Sequence, residues 1–361
     1  MIGVGVIGCG RAATELHLPI FDSLNGASIE ALCDVDPFRL QAVARKYGGA
    51  SSYQRFEALL ADRGVDLVAI CVPASMRGQI LRGALEQDKN IFVEKPLALN
   101  VADAEEICRL VESTKSRLFL GHHLRCHRLV ERCRELLRNE ALGALEIVST
   151  TWTSDQSESR ESAVWRSAVE TGGGVLHELG VHHFDLIEWL LEDRLDTVWG
   201  RQISDSCEIS SAVVTGSTVR GTLVTAAFSE ESIPRNRIEL CGKSGRIELD
   251  LYRYDGLRLH SVGSNRGMVT NRLRRVAESL RDLPAGARVA FRGGEYMLSY
   301  RRQWSRIMNV LQGGQGQDLC TPLDGLRAVQ IAAAALESIV SGAPVEVPAA
   351  ASAKRRSERS T

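Results

Sequence analysis

The sequence lacks the features that mark membrane, secreted or nucleic-acid-binding proteins. Its longest stretch without Asp, Glu, Lys or Arg is 11 residues, well short of the ~20 apolar residues of a transmembrane helix. No basic segment followed by an apolar core opens the chain, so no secretory signal is predicted. Its 44 basic and 45 acidic residues leave a net charge of −1, whereas nucleic-acid-binding domains are usually basic. Neither a membrane nor a nucleic acid is therefore expected as a partner.

The cysteines also lack a pairing pattern. There are nine, an odd number, and no two are spaced as Cys-x-x-Cys. Cys9, Cys33 and Cys71 lie in apolar runs, where cysteine behaves as a small hydrophobic residue. We expect no disulfide framework and a cytoplasmic location.

The order of the hydrophobic patterns predicts two domains. In residues 1–121, apolar strand-like runs alternate with helix-like segments, which is typical of βαβ units and a parallel sheet. Residues 122–346 contain β-rich runs separated by turn residues, which favours an α+β domain with a mostly antiparallel sheet. Residues 347–361 end in KRRSERST and are expected to be a flexible polar tail.

A dinucleotide-binding fingerprint lies near the start of the chain. Gly8, Gly10 and Ala13 form the pattern G-x-G-x-x-A between a strand and a helix. The first glycine permits the tight turn, the second lets a pyrophosphate approach the backbone, and the alanine allows close packing of helix on strand. The next strand ends at Asp34, 24 residues after Gly10, where a carboxylate can bind both ribose hydroxyls.

The same carboxylate predicts the type of cofactor. Asp34 would repel the 2′-phosphate of NADP, so NAD is expected and NADP is disfavoured. Arg39, five residues later, is the residue that could soften this preference.

Two further patterns suggest proton and charge chemistry. Lys95 follows a strand of the first domain, where side chains point into the ligand crevice of an open α/β sheet; a surface Lys-Pro turn is the alternative. Glu178 and His182 are four residues apart and share one face of a helix, an arrangement suited to proton transfer. A capping or surface pair is the alternative there.

The histidines do not form a convincing metal motif. His177 and His182 are five residues apart, whereas the zinc helix requires a spacing of four. His122, His123 and His127 cluster, but only Cys126 adds a further ligand type beside them. No metal is therefore expected.

In order along the chain, these patterns resemble the Gfo/Idh/MocA family of glucose–fructose oxidoreductase, inositol dehydrogenase and rhizopine-catabolism proteins. The similarity rests on the segments VGVIGCGRAA, CDVDP, VEKPL, the pair Trp165-Arg166, GGGVLHELGVHHFD, IELCGKSGRIELD and YRRQW. It implies a Rossmann domain followed by an α+β domain with a large, mostly antiparallel open sheet, which often forms homodimers or homotetramers. It also implies NAD(P)-dependent oxidation of a sugar or polyol hydroxyl, or the reverse reduction.

The resemblance also assigns roles by position. Lys95 corresponds to the catalytic lysine, His182 to the acid/base histidine, and Glu178 stands where the family usually has Asp. With these three, Arg125, Trp165 and Arg166 are the expected substrate-binding residues. The expected cofactor-binding residues are Gly8, Gly10, Arg11, Ala13, Asp34, Arg39, Val72, Pro73, Glu94 and Lys95.

Departures from the family pattern bear on the substrate. Arg77 stands where a histidine is usual, and GHHLRCHR at 121–128 lacks the commoner aromatic and Asn residues. Eleven arginines but four acidic residues lie between Leu251 and Arg302. Arginine suits bidentate binding of carboxylate or phosphate, which favours an anionic sugar acid or nucleotide sugar; a solvated helix face or an oligomer contact is the alternative.

Two other functions remain open from sequence. One is a non-catalytic dinucleotide-binding regulator with the same fold, since fold alone does not determine function. The other is a reaction that recycles NAD within one turnover. Retention of both Lys95 and His182 favours an NAD-dependent dehydrogenase acting on CH–OH groups.

Overall fold

The computed structural model describes residues 1–155, 174–203, 209–262, 269–316 and 318–349. Two sheets, of six and eight strands, organise the chain. Within the described segments, no helix combines the length and the apolar character needed to span a membrane.

The first sheet is parallel throughout and has the strand order β3-β2-β1-β4-β5-β6. Its strands are β1 (Ile2–Ile7), β2 (Ala27–Cys33), β3 (Ser51–Tyr53), β4 (Leu67–Ile70), β5 (Asn90–Val93) and β6 (Leu118–Leu120). The central strands are apolar at successive positions because both faces of the sheet are covered. The strand order reverses between β1 and β4, and ligands bind at such a point in open α/β sheets.

The helices of this first half connect its strands. The first, α1, begins with a π-helical segment (Ala12–His17) and continues as α-helix (Leu18–Phe21). The others are α2 (Pro37–Lys46), α3 (Phe56–Leu60), α4 (Arg77–Glu86) and α5 (Val101–Glu112). Short 3₁₀ turns (Ala74–Met76 and His123–Cys126) follow β4 and β6.

The second sheet is antiparallel except for one parallel pair, β7 with β10, and has the order β13-β12-β11-β7-β10-β9-β8-β14. Its strands are β7 (Leu145–Asp155), β8 (Leu195–Ile203), β9 (Ser211–Thr218), β10 (Leu223–Ser229), β11 (Glu231–Gly242), β12 (Gly245–Asp250), β13 (Leu257–Ser261) and β14 (Val345–Glu346). The predicted fold class is thus confirmed. The sequence reading missed β7, which lies in the middle of the sheet.

Among the described residues, five helices accompany the second sheet. They are α6 (Arg128–Arg138), α7 (a π-helical segment, Leu176–Gly180, then Val181–Leu191), α8 (Val269–Phe291), α9 (Gly294–Leu311) and α10 (Pro322–Ser341). A capping box formed by Thr321 and Asp324 begins α10, and Gly342 ends it in the left-handed conformation, as glycine does at many helix ends.

The two late helices join the halves of the molecule. Trp304 and Ile307 of α9 are fully buried in the hydrophobic core of the first sheet. Val329 of α10 packs on the first half, while Ile331 of the same helix packs on the second. Segments that follow the second sheet in sequence therefore complete the core of the first.

The C-terminal end of the packed chain lies beyond the expected boundary at 346. Val347 is buried and its N–H donates to the carbonyl of Asp196, and Arg327 donates to the carbonyl of Pro348. These contacts attach residues that the sequence reading assigned to the tail. Residues 350–361 lie outside the described part of the chain.

Candidate active site

The glycine-rich turn between β1 and α1 has the form that the fingerprint requires. Gly8 has φ +92°, and a Cβ there would lie 2.8 Å from a methyl group of Val72. At Gly10 a Cβ would meet no atom within 4 Å, so open space lies against the backbone. Ala13 is fully buried against the sheet. The turn therefore fits a pyrophosphate that approaches Gly10.

Asp34 holds this turn in place. One carboxylate oxygen accepts the N–H of Cys9 at 2.8 Å, and the other accepts the N–H of Asp36 at 2.9 Å. The guanidinium of Arg39 lies 3.4 Å from the same carboxylate. Nη1 of Arg39 donates to both oxygens over long distances, 3.4 and 3.5 Å, so ribose hydroxyls that bind this carboxylate would replace these weak bonds.

The start of α1 leaves its backbone N–H groups free of a side-chain cap, so they can bind an anion. Arg11 at that position is largely exposed and pairs with Glu15 at 2.8 Å. Val72 and Pro73 follow β4 and are partly buried. The structure thus brings the expected cofactor residues to one edge of the first sheet.

Lys95 and Glu178 meet across the two halves of the molecule. Nζ of Lys95 donates to the backbone carbonyl of Glu178 at 2.8 Å and to its carboxylate at 3.1 Å. Both side chains are only about 15% exposed. An ammonium has three donors, so one donor of Lys95 is left without a partner among the described residues. The surface-turn alternative for Lys95 is therefore wrong.

His182 lies beside this pair in a fully buried position. Its ring is 5.4 Å from the rings of both His122 and His123, and 5.3 Å from Trp152. Burial, followed by the charge of Lys95, lowers the pKa of His182 well below the usual value. The imidazole is thus neutral at pH 7, which is the form that accepts a proton.

The geometry of Glu178 differs from the expected helical spacing. Glu178 lies in a π-helical segment that precedes the regular helix holding His182. Four residues in such a segment do not span one α-helical turn, so the shared-face argument does not apply there. The contact of Glu178 with Lys95 brings it to the site instead.

A buried hydrogen-bonded chain supports the segment that holds Lys95. Trp304 donates to Nδ1 of His17 at 3.0 Å, and Nε2 of His17 lies 2.9 Å from the Glu94 carboxylate. Because an indole N–H can only donate, Nδ1 is the acceptor and Nε2–H donates to Glu94. That hydrogen bond and nearby positive charges outweigh burial and lower the pKa of Glu94 to about 2. Glu94 in turn accepts the N–H of Lys95 at 3.2 Å.

Arg77 also supports this segment. Its side chain is buried and donates to the carbonyls of Val72, Glu94 and Pro96. The arginine in the usual histidine position thus connects the loops after β4 and β5. Nε and Nη1 are taken by these carbonyls, whereas Nη2 has no hydrogen-bond partner among the described residues.

The sequence reading missed an aromatic wall around His182. Tyr300 stacks on His123 with ring centroids 3.9 Å apart, and Tyr296 lies 4.7 Å from the same ring. Trp152 donates to the hydroxyl of Tyr252 at 3.0 Å. Burial, then the charges of nearby acidic groups, raises the pKa of Tyr296 to about 12, so its hydroxyl is a neutral donor. The 300–304 segment YRRQW was the only sequence signal near these residues.

Arg125 occupies a different place from the one expected. Its guanidinium makes two bonds to Asp185, at 2.8 and 2.5 Å, and one to Asp324 at 3.2 Å. It is buried and is therefore committed to internal carboxylates. Trp165 and Arg166, the other expected substrate residues, lie outside the described residues.

Three described arginines of the Leu251–Arg302 stretch have internal partners, whereas Arg258, Arg288 and Arg292 are exposed. Arg253 pairs with Asp255, Arg301 donates to Ser23, and Arg302 pairs with Glu295. Arg266 and the side chains of Arg272, Arg274, Arg275 and Arg281 lie outside the described part of the chain.

Comparison with known proteins shows the family. Residues 2–122 match the model of the Gfo/Idh/MocA oxidoreductase family with an NAD-binding Rossmann fold, and residues 134–347 match its C-terminal α/β domain. A myo-inositol 2-dehydrogenase of Thermotoga maritima is 27% identical over 277 residues, covering 73% of this chain and 80% of that protein.

Solved structures show the same fold. The WlbA dehydrogenase of Bordetella pertussis, in complex with NADH and UDP-GlcNAcA, has a TM-score of 0.79 and 17% identity, covering 96% of this chain and 99% of that one. The scyllo-inositol dehydrogenase of Lactobacillus casei, with bound NAD(H) and scyllo-inositol, has a TM-score of 0.77 and 16% identity over 96% of this chain and 99% of that one. The chain therefore belongs to the Gfo/Idh/MocA family and is an NAD-dependent oxidoreductase.

Proposed function

We propose that the enzyme transfers a hydride between NAD and a secondary hydroxyl, or the corresponding ketone, of a sugar, sugar acid, inositol or nucleotide sugar. The observation that carries this proposal is the convergence of Lys95, Glu178 and His182 at the edge of the sheet that holds the glycine-rich turn. A cation and a neutral imidazole in one buried place can together polarise and deprotonate a hydroxyl group.

Each of these residues has a distinct task. The free donor of Lys95 binds the reacting oxygen and stabilises its developing negative charge. His182 accepts the hydroxyl proton during oxidation and returns it during reduction. Glu178 fixes the ammonium of Lys95 through two contacts, and the bound cofactor supplies the hydride chemistry.

Residues at the glycine-rich turn would hold NAD. The free N–H groups at the start of α1 and the backbone of Gly10 would bind the pyrophosphate. The carboxylate of Asp34 would accept the ribose hydroxyls. The aromatic wall of Trp152, Tyr252 and Tyr296 supports a sugar or polyol substrate, because aromatic rings pack on apolar sugar faces while the phenols supply hydrogen bonds.

The charge of the substrate is a finer proposal. A WlbA dehydrogenase of this fold was solved with a nucleotide sugar acid, which supports an anionic substrate. Arg125 does not support it, since Asp185 and Asp324 occupy its guanidinium, and backbone carbonyls hold Nε and Nη1 of Arg77. A panel of myo-inositol, D-glucose, D-glucuronate and UDP-N-acetylglucosamine, read by nicotinamide absorbance, separates neutral from anionic substrates.

The second sheet offers a surface through which copies of the chain could associate. We infer a cytoplasmic homodimer or homotetramer that associates through the second sheet. Ile147, Val213 and Leu223 lie on neighbouring strands of that sheet and are each more than 40% exposed. Exposed apolar residues on one sheet face are typical of a contact surface.

The catalytic assignment predicts the effect of two substitutions. Lys95→Ala and His182→Ala should each lower kcat by about a hundredfold or more, the scale of a lost acid–base or electrostatic group. NADH binding, measured by fluorescence, should be retained because the pyrophosphate and ribose contacts lie elsewhere.

Lys115→Ala, a surface lysine, and His183→Gln, a neighbouring buried histidine, are matched controls. Near-normal turnover of the best panel substrate by the Lys95 or His182 variant would refute its role. Tight NADH binding without turnover of any substrate by the wild type would instead favour the regulatory alternative.

A further inference from the structure

A series of buried imidazole nitrogens leads away from His182. Nδ1 of His182 and both ring nitrogens of His122 are inaccessible to solvent and have no hydrogen-bond partner among the described residues. The two rings meet edge to face with centroids 5.4 Å apart. Buried polar atoms nearly always have partners, so this arrangement requires a physical explanation.

The series ends at a cleft distinct from the proposed substrate site. Nδ1 of His122 lies 3.7 Å from a carboxylate oxygen of Asp185. Asp185 lines a cleft of about 250 Å³ formed by α7 and α10, together with Arg125, Glu188 and Asp324. Neither Lys95 nor Glu178 nor His182 lines this cleft, whereas the exposed residue Glu192 does.

We propose that His122 and Asp185 form a proton path that carries the proton taken up by His182 to this second cleft. The proposal rests on the proposed function. Such a path is needed because substrate and NAD would fill the crevice beside Lys95 during hydride transfer. They would then block the direct route of the proton from His182 to solvent.

The proton balance is simple. Oxidation of a secondary alcohol by NAD⁺ gives a ketone, NADH and one proton. That proton binds Nε2 of His182, the proton on Nδ1 passes to His122, and His122 releases one from its other nitrogen toward Asp185 and solvent. Rotation of each ring restores the starting tautomers, and reduction runs the path backwards.

Both steps need an adjustment, because the ring centroids of His182 and His122 lie 5.4 Å apart and their nitrogens are not hydrogen-bonded to each other. A separation of 3.7 Å between His122 and Asp185 is too long for a direct hydrogen bond. A shift of the ring or one bridging water closes it, and a water in that position would satisfy the unpartnered nitrogens of His122.

The surroundings of His122 favour release of a proton from the ring rather than its retention there. Burial lowers the pKa of His122 below its usual value, so the ring releases a proton readily. The carboxylate of Asp185, fixed by two bonds from Arg125, stabilises a transient imidazolium. The charged and titratable groups that face His122 are Asp185, Asp324, Arg125, Lys95, His123, His182 and Cys320.

The same residues do not form a good metal site. Ligand atoms of His122, Asp185 and Cys320 lie within 4.8 Å of one another. However, Arg125 donates to both oxygens of Asp185 and would repel a cation. Burial raises the pKa of the Cys320 thiol well above its usual value, so the thiol stays protonated and binds metal poorly.

A single-turnover experiment tests the path. NAD⁺ and the panel substrate that is turned over fastest are mixed with enzyme, and NADH absorbance and a pH-indicator dye are followed together. In the wild type, proton release should coincide with NADH formation. In His122→Asn, which hydrogen-bonds but does not relay protons, release should lag behind NADH formation and kcat should fall about tenfold or more.

A chemical rescue separates relay from structure. His122→Ala should be similarly slow and should recover activity when imidazole is added, because imidazole can occupy the space of the missing ring. NADH binding should match the wild type in both variants, and His183→Gln should behave like the wild type.

Synchronous proton release in His122→Asn, or failure of imidazole to restore His122→Ala, would overturn the proton path. Loss of wild-type activity on treatment with EDTA would overturn the proton path and indicate a metal site at these residues. Failure of the proposed function is distinguishable, because then His182→Ala would still form NADH at a near-normal rate.

Discussion

At the residue scale, Asp34 holds the glycine-rich turn, and we propose that its carboxylate distinguishes NAD from NADP. Its carboxylate is almost fully buried and accepts the N–H of Cys9 in the glycine-rich turn and the N–H of Asp36 in its own loop. A 2′-phosphate at this position would meet negative charge and would displace the ribose hydrogen bonds. Replacement of Asp34 should therefore change both the cofactor preference and the geometry of the glycine-rich turn.

Replacement of Asp34 by Ser should weaken NADH binding and narrow the difference between NADH and NADPH. The carboxylate charge is lost, and the shorter side chain holds the N–H of Cys9 less well. Dissociation constants for both reduced cofactors, from fluorescence titration, measure the effect.

Asp36→Ser is a matched control, because Asp36 caps α2 and serine is also a good N-cap residue. Equal affinity of the wild-type enzyme for NADPH and NADH would show that the assignment of Asp34 is wrong.

At the element scale, two of the helices that bring residues to the site begin with π-helical segments. One contains His17, which contacts Glu94, and the other contains Glu178, which contacts Lys95. A π-helical segment rotates the side chains that precede the regular helix, and such segments are frequent at functional sites. Helix spacing alone therefore does not predict which side chains face the crevice.

In the turn between β1 and α1, substitution of one glycine should affect folding stability and substitution of the other should affect NADH binding. Gly8→Ala should lower the free energy of unfolding, because φ is +92° and the new Cβ would lie 2.8 Å from Val72. Gly10→Ala should leave folding stability unchanged, since its Cβ enters open space, but it should weaken NADH binding by contact with the pyrophosphate.

Urea unfolding and NADH titration of the two variants separate the effects, with each variant serving as the other's control. An unchanged NADH affinity in Gly10→Ala would contradict the placement of the pyrophosphate.

At the scale of the whole molecule, buried histidines make stability depend on pH. Burial lowers the pKa of five of them, to about 4 for His127 and His183 and in the same direction for His122, His123 and His182. The unfolded chain binds protons below pH 6.5, whereas the folded chain does not until lower pH. Stability is therefore fully present above pH 6.5 and is lost as the pH falls toward 4.

We expect the free energy of unfolding to decrease from pH 7 to pH 5. Each histidine that takes up a full proton on unfolding contributes about 1.4 kcal/mol per pH unit. Urea unfolding at several pH values measures the slope, and His183→Gln should reduce it by up to the contribution of one proton. A free energy that is constant over this range would refute the neutral state of these histidines.

The sequence by itself determined those features that depend on local backbone geometry. Gly8, Gly10 and Asp34 predicted a cofactor site because a tight turn, a close approach and a carboxylate at a strand end are short-range requirements. The alternation of apolar runs similarly predicted a parallel sheet followed by a mostly antiparallel one. Strand β7 was missed because its second half, STTWTSD, is mostly polar.

Only the tertiary structure decided which distant side chains meet. The contact of Lys95 with Glu178 spans 83 positions, and that of His17 with Trp304 spans 287. The sequence also does not show that Arg125 is paired with Asp185, since an arginine near a pocket can bind either substrate or an internal carboxylate. Such partners are chosen by long-range packing and by the cost of burying an unpaired charge, which no local pattern encodes.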